Sequence, residues 1–142
     1  MTEGGYRDAS DGLAEPLEMY DLAFPLQRGL EDVAACAGAL AEAGINIDAV
    51  RCTSFVAPAT CHFLVADGEA ARSVLGAAGV VAVTSSPVLV YTLPNRPGTL
   101  ARYTQSLLAH GVTLDFVYQA TAKGVVVGAP DLGAVRRAFA AA

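Results

Sequence analysis

Asn95, Arg96, Pro97, Gly98 and Thr99 stand where an apolar, alternating segment gives way to an amphipathic one, and together they could hold a small carboxylate. A helix opening at Pro97 and Gly98 would present first-turn N–H groups that have no partner within the helix and sit at the positive end of its dipole. Such a terminus is a ready anion site, and Gly98 has no Cβ to keep a carboxylate from the backbone. Asn95 can either cap that helix or offer its amide to a ligand. Arg96 can pair with the carboxylate, or simply face water as exposed loop cations often do.

An amino acid also has a cationic end, and acids suited to it stand in an internal repeat. LAEAGINID at 40–48 returns as LLAHGVTLD at 107–115, so that Gly44 matches Gly111, Ile45 matches Val112 and Asp48 matches Asp115. Each glycine falls where a helical stretch stops, a place that favours the left-handed backbone only glycine adopts cheaply. Asn46 could add an amide, and Asp48 or Asp115 could bind an ammonium across an interface between two copies of the unit. The alternative for both acids is a solvated turn or strand edge, the usual place for Asp. Tyr118 and Tyr91 could line a pocket or pack on a sheet, as strand aromatics commonly do.

Covalent and metal chemistry find little support. His62 lies between Cys61 and Phe63 in a strand, where adjacent side chains point to opposite faces. His110 precedes a helix-ending glycine, where a cation suits the dipole. The chain has no serine-nucleophile motif, phosphate-cradling loop, paired-histidine helix or CxxC. Cys36, Cys52 and Cys61 lack metal-ligand spacing and read as buried, reduced thiols. No catalytic residue, metal or cofactor is expected.

These groups must be positioned by 142 residues that are 54% hydrophobic and 16% charged, enough for one ordinary domain or two small ones. A net charge of −5 argues against a nucleic-acid surface. The absence of a long apolar run or leader-like start argues against a membrane and for a cytoplasmic protein. Residues 1–16 read as a loose tail. Strands are expected over 18–24 (ended by Pro25), 45–55, 60–66 and 80–84, with helices from Leu30 to Gly44 and, capped by Asp67, up to Gly79. The order then restarts: a strand over 87–93, a helix over 97–111, strands over 112–120 and 125–129 joined by a turn at 122–124, and a helix capped by Asp131. This gives an α+β fold of two tandem ferredoxin-like βαββαβ units, 17–85 and 86–142, with antiparallel sheets and helices on one face; the second unit lacks its last strand. An edge left open in this way invites pairing with another chain.

The stretch VLVYTLPNRPGTLARYTQSLLAHGVTLDFVYQA resembles the ACT domain, with its strand, Asn-x-Pro-Gly loop, helix and Gly-Ile-Asn-like helix exit. The first unit carries the exit in fuller form, as Gly44, Ile45, Asn46, Ile47 and Asp48, but the loop ahead of its first helix, LQRGLED, has no Asn-x-Pro-Gly. Over roughly 17–140 the chain is similar to small stand-alone proteins made of two tandem ACT domains. The resemblance implies an amino acid or related ligand held between copies by Asn95, Arg96, Pro97, Gly98 and Thr99 with Gly44, Ile45, Asn46, Asp48, Val112, Asp115 and Tyr118. It also implies a homodimer and a signal passed to a protein partner. Two other functions remain open: a small pathway enzyme or accessory protein using an acid or base such as His62, Asp48 or Asp115, and a purely structural dimerisation module.

Overall fold

The computed structural model describes residues 13–121 and 124–142 of the chain. It has an α+β architecture that separates into two compact units, Glu18–Pro87 and a second built on Val88–Ala142. In chain order the elements are β1 (Leu17–Leu26), α1 (Leu30–Glu42), β2 (Ala49–Cys52), β3 (Ala59–Val65), α2 (Gly68–Ala77), β4 (Thr84–Thr92), α3 (Thr99–Ala109), β5 (Phe116–Gln119), β6 (Gly124–Gly128) and α4 (Leu132–Ala141). Of the expected tail, residues 1–12 lie outside the described residues; Leu13 packs against the second unit's core, and Glu15 meets Arg136 at 2.9 Å. Two residues of the expected 122–124 turn, 122 and 123, also lie outside them.

In the first unit β3 is paired antiparallel with both β1 and β2. Opposition of Leu22 to Phe63 and of Phe24 to Cys61 puts alternate residues of both strands on one face. That face meets Cys36 and Leu40 of α1 and Ala71 and Leu75 of α2 in a single core, with the Phe24 and Phe63 rings edge to face at 5.1 Å. Burying a side chain of this size stabilises by about 1.5–3 kcal/mol, so the apolar stripe of each helix fixes it on the sheet. The second unit repeats the plan. β6 lies between β4 and β5, and Leu89, Tyr91 and Val127 face Tyr103 and Leu107 of α3 and Val135 and Phe139 of α4. Phe139 packs between Tyr91 and Tyr103, with centroids at 4.4 and 4.9 Å, so Tyr91 is a core residue.

Some boundaries depart from expectation. β1 runs through Pro25, which stands opposite Thr60, because a proline forfeits only one donor and the buried Leu26 holds the strand's end. The strands expected over 80–84 and 87–93 are one, β4, which starts at Thr84 after Ala82 turns the chain with φ 59°. β2 and β5 are four residues each, because the residues ahead of them complete the helix exits. No described helix is long and apolar enough to cross a membrane.

Candidate functional site

At the end of β4 the chain leaves the sheet and turns into α3 through Gly98, the helix's N-cap, with φ 92° and ψ −15°. This left-handed position explains the glycine. No side chain caps the helix, so the capping role open to Asn95 is not taken. Thr99 N donates to Arg96 O at 3.2 Å and the helical ladder begins with Arg102 N to Gly98 O at 2.9 Å. Leu100 and Ala101 therefore carry first-turn amides with no acceptor inside the helix. No acid stands in this turn.

Loop and first turn form one wall of a cavity of about 330 Å³, and β5 and β6 form the other. Its polar lining is Asn95, Arg96, Thr99, Tyr118 and Gln119; Leu93, Leu100, Val117 and Val125 make it largely apolar. Tyr118, 9% exposed, is stacked with Phe116 at 5.7 Å. Four of the residues singled out by sequence, Asn95, Arg96, Thr99 and Tyr118, are thus brought together, whereas Pro97 and Gly98, though in the same loop, do not line the cavity. Val117 and Gln119 were not anticipated. Their signal is adjacency to Tyr118 on a short strand.

The helix exits serve the backbone. Gly44 and Gly111 have φ of 74° and 66°, Gly44 N donates to Ala41 O, and Ile45 N reaches back to Leu40 O at 2.9 Å. Gly111 with Leu108 and Val112 with Leu107 repeat that double bond, the Schellman exit. Ile45 and Val112 pack against their own unit's core. Asn46 donates its amide to Asp48 Oδ1 at 2.9 Å, while the backbone N–H groups of Asp48 and Asp115 donate to Leu64 O and Gly128 O. Val112 and Asp115 sit beyond the far end of α3, about 16 Å of helix from Gly98 at 1.5 Å per residue. Gly44, Ile45, Asn46 and Asp48 belong to the first unit.

The corresponding loop of the first unit is built differently. Gly29, with φ 63° and ψ −127°, precedes α1, and the Asp32 carboxylate turns back to accept from Gln27 N at 2.7 Å and Arg28 N at 2.6 Å. The Arg28 guanidinium adds a third bond at 3.3 Å. These bonds, the Arg28 amide foremost, hold the Asp32 pKa below its ordinary value. An anion already occupies this loop, and it is the protein's own. Asp32 was not singled out from the sequence, although an acid three residues after a glycine that opens a helix is the relevant signal.

His62 Nδ1 lies 2.9 Å from the buried Asp21 Oδ2, on the sheet face away from the helices. His110 donates Nδ1–H to Ser106 O at 2.8 Å. Neither histidine lines the cavity. No cluster of ligating side chains fit for a metal occurs among the described residues.

No family model and no curated protein matches this chain. Solved structures do match. Protein BT0572 from Bacteroides thetaiotaomicron aligns over 88% of this chain and 87% of its own, with TM-score 0.69 and 22% identity. The ligand-free regulatory subunit of aspartate kinase from Thermus thermophilus aligns over 90% and 97%, with TM-score 0.63 and 21% identity. E. coli aspartokinase III in complex with lysine and aspartate aligns over 91% of this chain but 31% of its own, with TM-score 0.53 and 12% identity. The architecture is accordingly that of the ACT-like regulatory domains of aspartate kinase.

Proposed function

We propose that this protein is a cytoplasmic regulatory module that binds an amino acid or a related small carboxylate at the loop of its second unit. The observation that carries the reading is the cavity beside Asn95, Arg96 and Thr99: first-turn amides, a guanidinium and an apolar floor, with no acid in the adjoining turn. The ligand carboxylate would accept from the first-turn amides and Arg96, with Asn95 and Gln119 orienting the rest. Its ammonium would be met by Asp48 or Asp115 contributed by another copy in a homodimer. The likeness in fold to regulatory subunits of aspartate kinase, and to the part of E. coli aspartokinase III, solved with lysine and aspartate, that this chain covers, supports the ligand class.

Binding would act by population shift. A ligand biases the packing of copies, or of a protein partner, only by the difference in its affinity for the two states. Among the described residues of one chain, no histidine or carboxylate lines the cavity.

Thermal unfolding against a panel of amino acids, their amides and nucleotides tests the reading, because a ligand that binds only the native state raises stability by mass action. One or a few amino acids should raise the melting temperature and their amides should not. Arg96→Ala should abolish the shift. A wild-type protein indifferent to every amino acid would overturn the proposal.

A further inference from the structure

All three cysteines of the chain belong to the first unit's core, where Cys36 and Cys61 are buried and Cys52 packs against the same cluster. β2 and β3 place Cys52 directly opposite Cys61 in the antiparallel register, on the face that carries Phe63 and meets the helices. Directly opposed residues in such a ladder have Cα atoms about 4.5–5.5 Å apart, within the roughly 4.4–6.8 Å that a disulfide spans. The Cys52 thiol donates to Cys61 Sγ at 2.7 Å, and both cysteines are free. Their side chains already face each other, so bonding them requires no rearrangement of the sheet. Cys52 is half-buried, and it is the sulfur a reagent reaches first. Burial, and then the contact with Cys52, push the Cys61 thiol pKa up, so its attack in the second step is carried by its contact with the Cys52 sulfur, which makes that step intramolecular, and not by a ready thiolate.

We propose that Cys52 and Cys61 are a reversible redox couple, converted to a cross-strand disulfide by exchange with a low-molecular-weight disulfide such as oxidised glutathione. The Cys52 thiolate attacks one sulfur of the reagent, forms a mixed disulfide and expels one thiolate, which takes up the proton lost by Cys52. Cys61, giving its proton to solvent, attacks the Cys52 sulfur and expels the second thiolate, which is protonated in turn. Two protein thiols are oxidised and one reagent disulfide is reduced to two thiols. A reducing dithiol reverses the sequence.

The bond staples the β2–β3 hairpin, whose tip is held near the start of α1: a Cβ on Gly29 would lie 2.9 Å from Phe55 O. Oxidation would therefore stiffen the first unit and leave the lining of the second unit's cavity chemically unchanged. This inference does not depend on the ligand reading.

Full-length protein treated with oxidised glutathione, quenched in acid, alkylated and digested with trypsin gives the answer by mass. Arg51 and Arg72 bound a peptide that holds both Cys52 and Cys61, whereas Cys36 falls in the preceding one. The expected product is peptide 52–72 two hydrogens lighter and closed to alkylation until reduced, with Cys36 unmodified. The oxidised protein should melt several degrees higher and return on reduction. Cys61→Ser should instead retain glutathione on Cys52, and Cys52→Ser should take up none. A stable glutathione adduct on wild-type Cys52, pairing with Cys36, or two thiols still open to alkylation would overturn the couple; an unchanged melting temperature of the oxidised form would overturn the staple.

Discussion

The two units end their first helices in the same way and begin them in opposite ways. At the exits, Gly44 with Ile45 and Gly111 with Val112 make the same pair of backbone bonds, and each places an aliphatic side chain in a core. Both helix starts border a cavity, but Asp32 sets a carboxylate of the chain's own in the wall of the first, whereas the second has no first-turn acid and a largely apolar lining. The contrast separates two demands on one repeated architecture. Closing a helix is a backbone problem with one economical solution, so both copies share it. The amides of the loop ahead of α1, those of Gln27 and Arg28, are met by the chain's own anion, and no such acid stands at the start of α3.

The shared exits are tested by removing their anchors. Leu40 and Leu107, whose buried side chains tie each exit to its core while their carbonyls would persist in alanine, should cost about 2–5 kcal/mol apiece as alanine through lost packing, measured by denaturant unfolding. Similar losses would mark the units as equally dependent on this joint. A loss at one position several times that at the other would break the symmetry claimed for the exits.

A smaller effect should distinguish the two helix starts. Gly98→Ala strains a left-handed φ but meets open space, so about 1–2 kcal/mol is expected. Gly29→Ala adds to its positive φ a close approach to Phe55 O and should cost more. The reverse order would mean that the first loop yields more readily than its bonds to Asp32 imply.

How much of this was legible in sequence follows the same division. The exits could be read because a glycine after an apolar helical stripe, followed by Ile or Val, has few other uses. The Asp67 and Asp131 caps could be read from residue type and position, and both accept from the backbone three residues on, at 3.1 Å. The cavity was half legible: Asn95, Arg96, Thr99 and Tyr118 converge on it, but Gln119 and Val117 depend on the way β5 closes beside β6. The self-filled first loop was not legible. LQRGLED shows that an acid is present, not that its carboxylate turns back onto Gln27 and Arg28. The single strand β4 was also hidden, since nothing in VVAVTSSPVLV marks Ala82 as the turning point.

The two aspartate caps provide a matched pair at the next size down. Asp67→Ala and Asp131→Ala should each destabilise by about 1 kcal/mol, and by similar amounts, because both carboxylates accept from the amide three residues on at 3.1 Å and the exposed Arg137 contact of Asp131, at 3.9 Å, adds little. Unequal losses in urea unfolding would show that the copies also diverge at their second helices.

The smallest effect is the most telling, because it asks whether the first loop is closed by Asp32 alone. The folded pKa of Asp32 lies below its ordinary 3.8. The carboxylate therefore contributes its full stabilisation above that value, and loses it as pH falls through the depressed folded value. The gap in stability between wild type and Asp32→Asn should be constant near neutral pH and should narrow only in acid, as wild type itself protonates. At neutral pH Asp32→Ala leaves the Gln27 and Arg28 amides without their acceptor. Small carboxylates such as acetate should then raise the variant's melting temperature more than the wild type's, and Arg96→Ala in the same background should not remove that gain. A variant indifferent to added carboxylate would show that an internal anion is not what separates the start of α1 from the start of α3, and would leave the difference to loop shape alone.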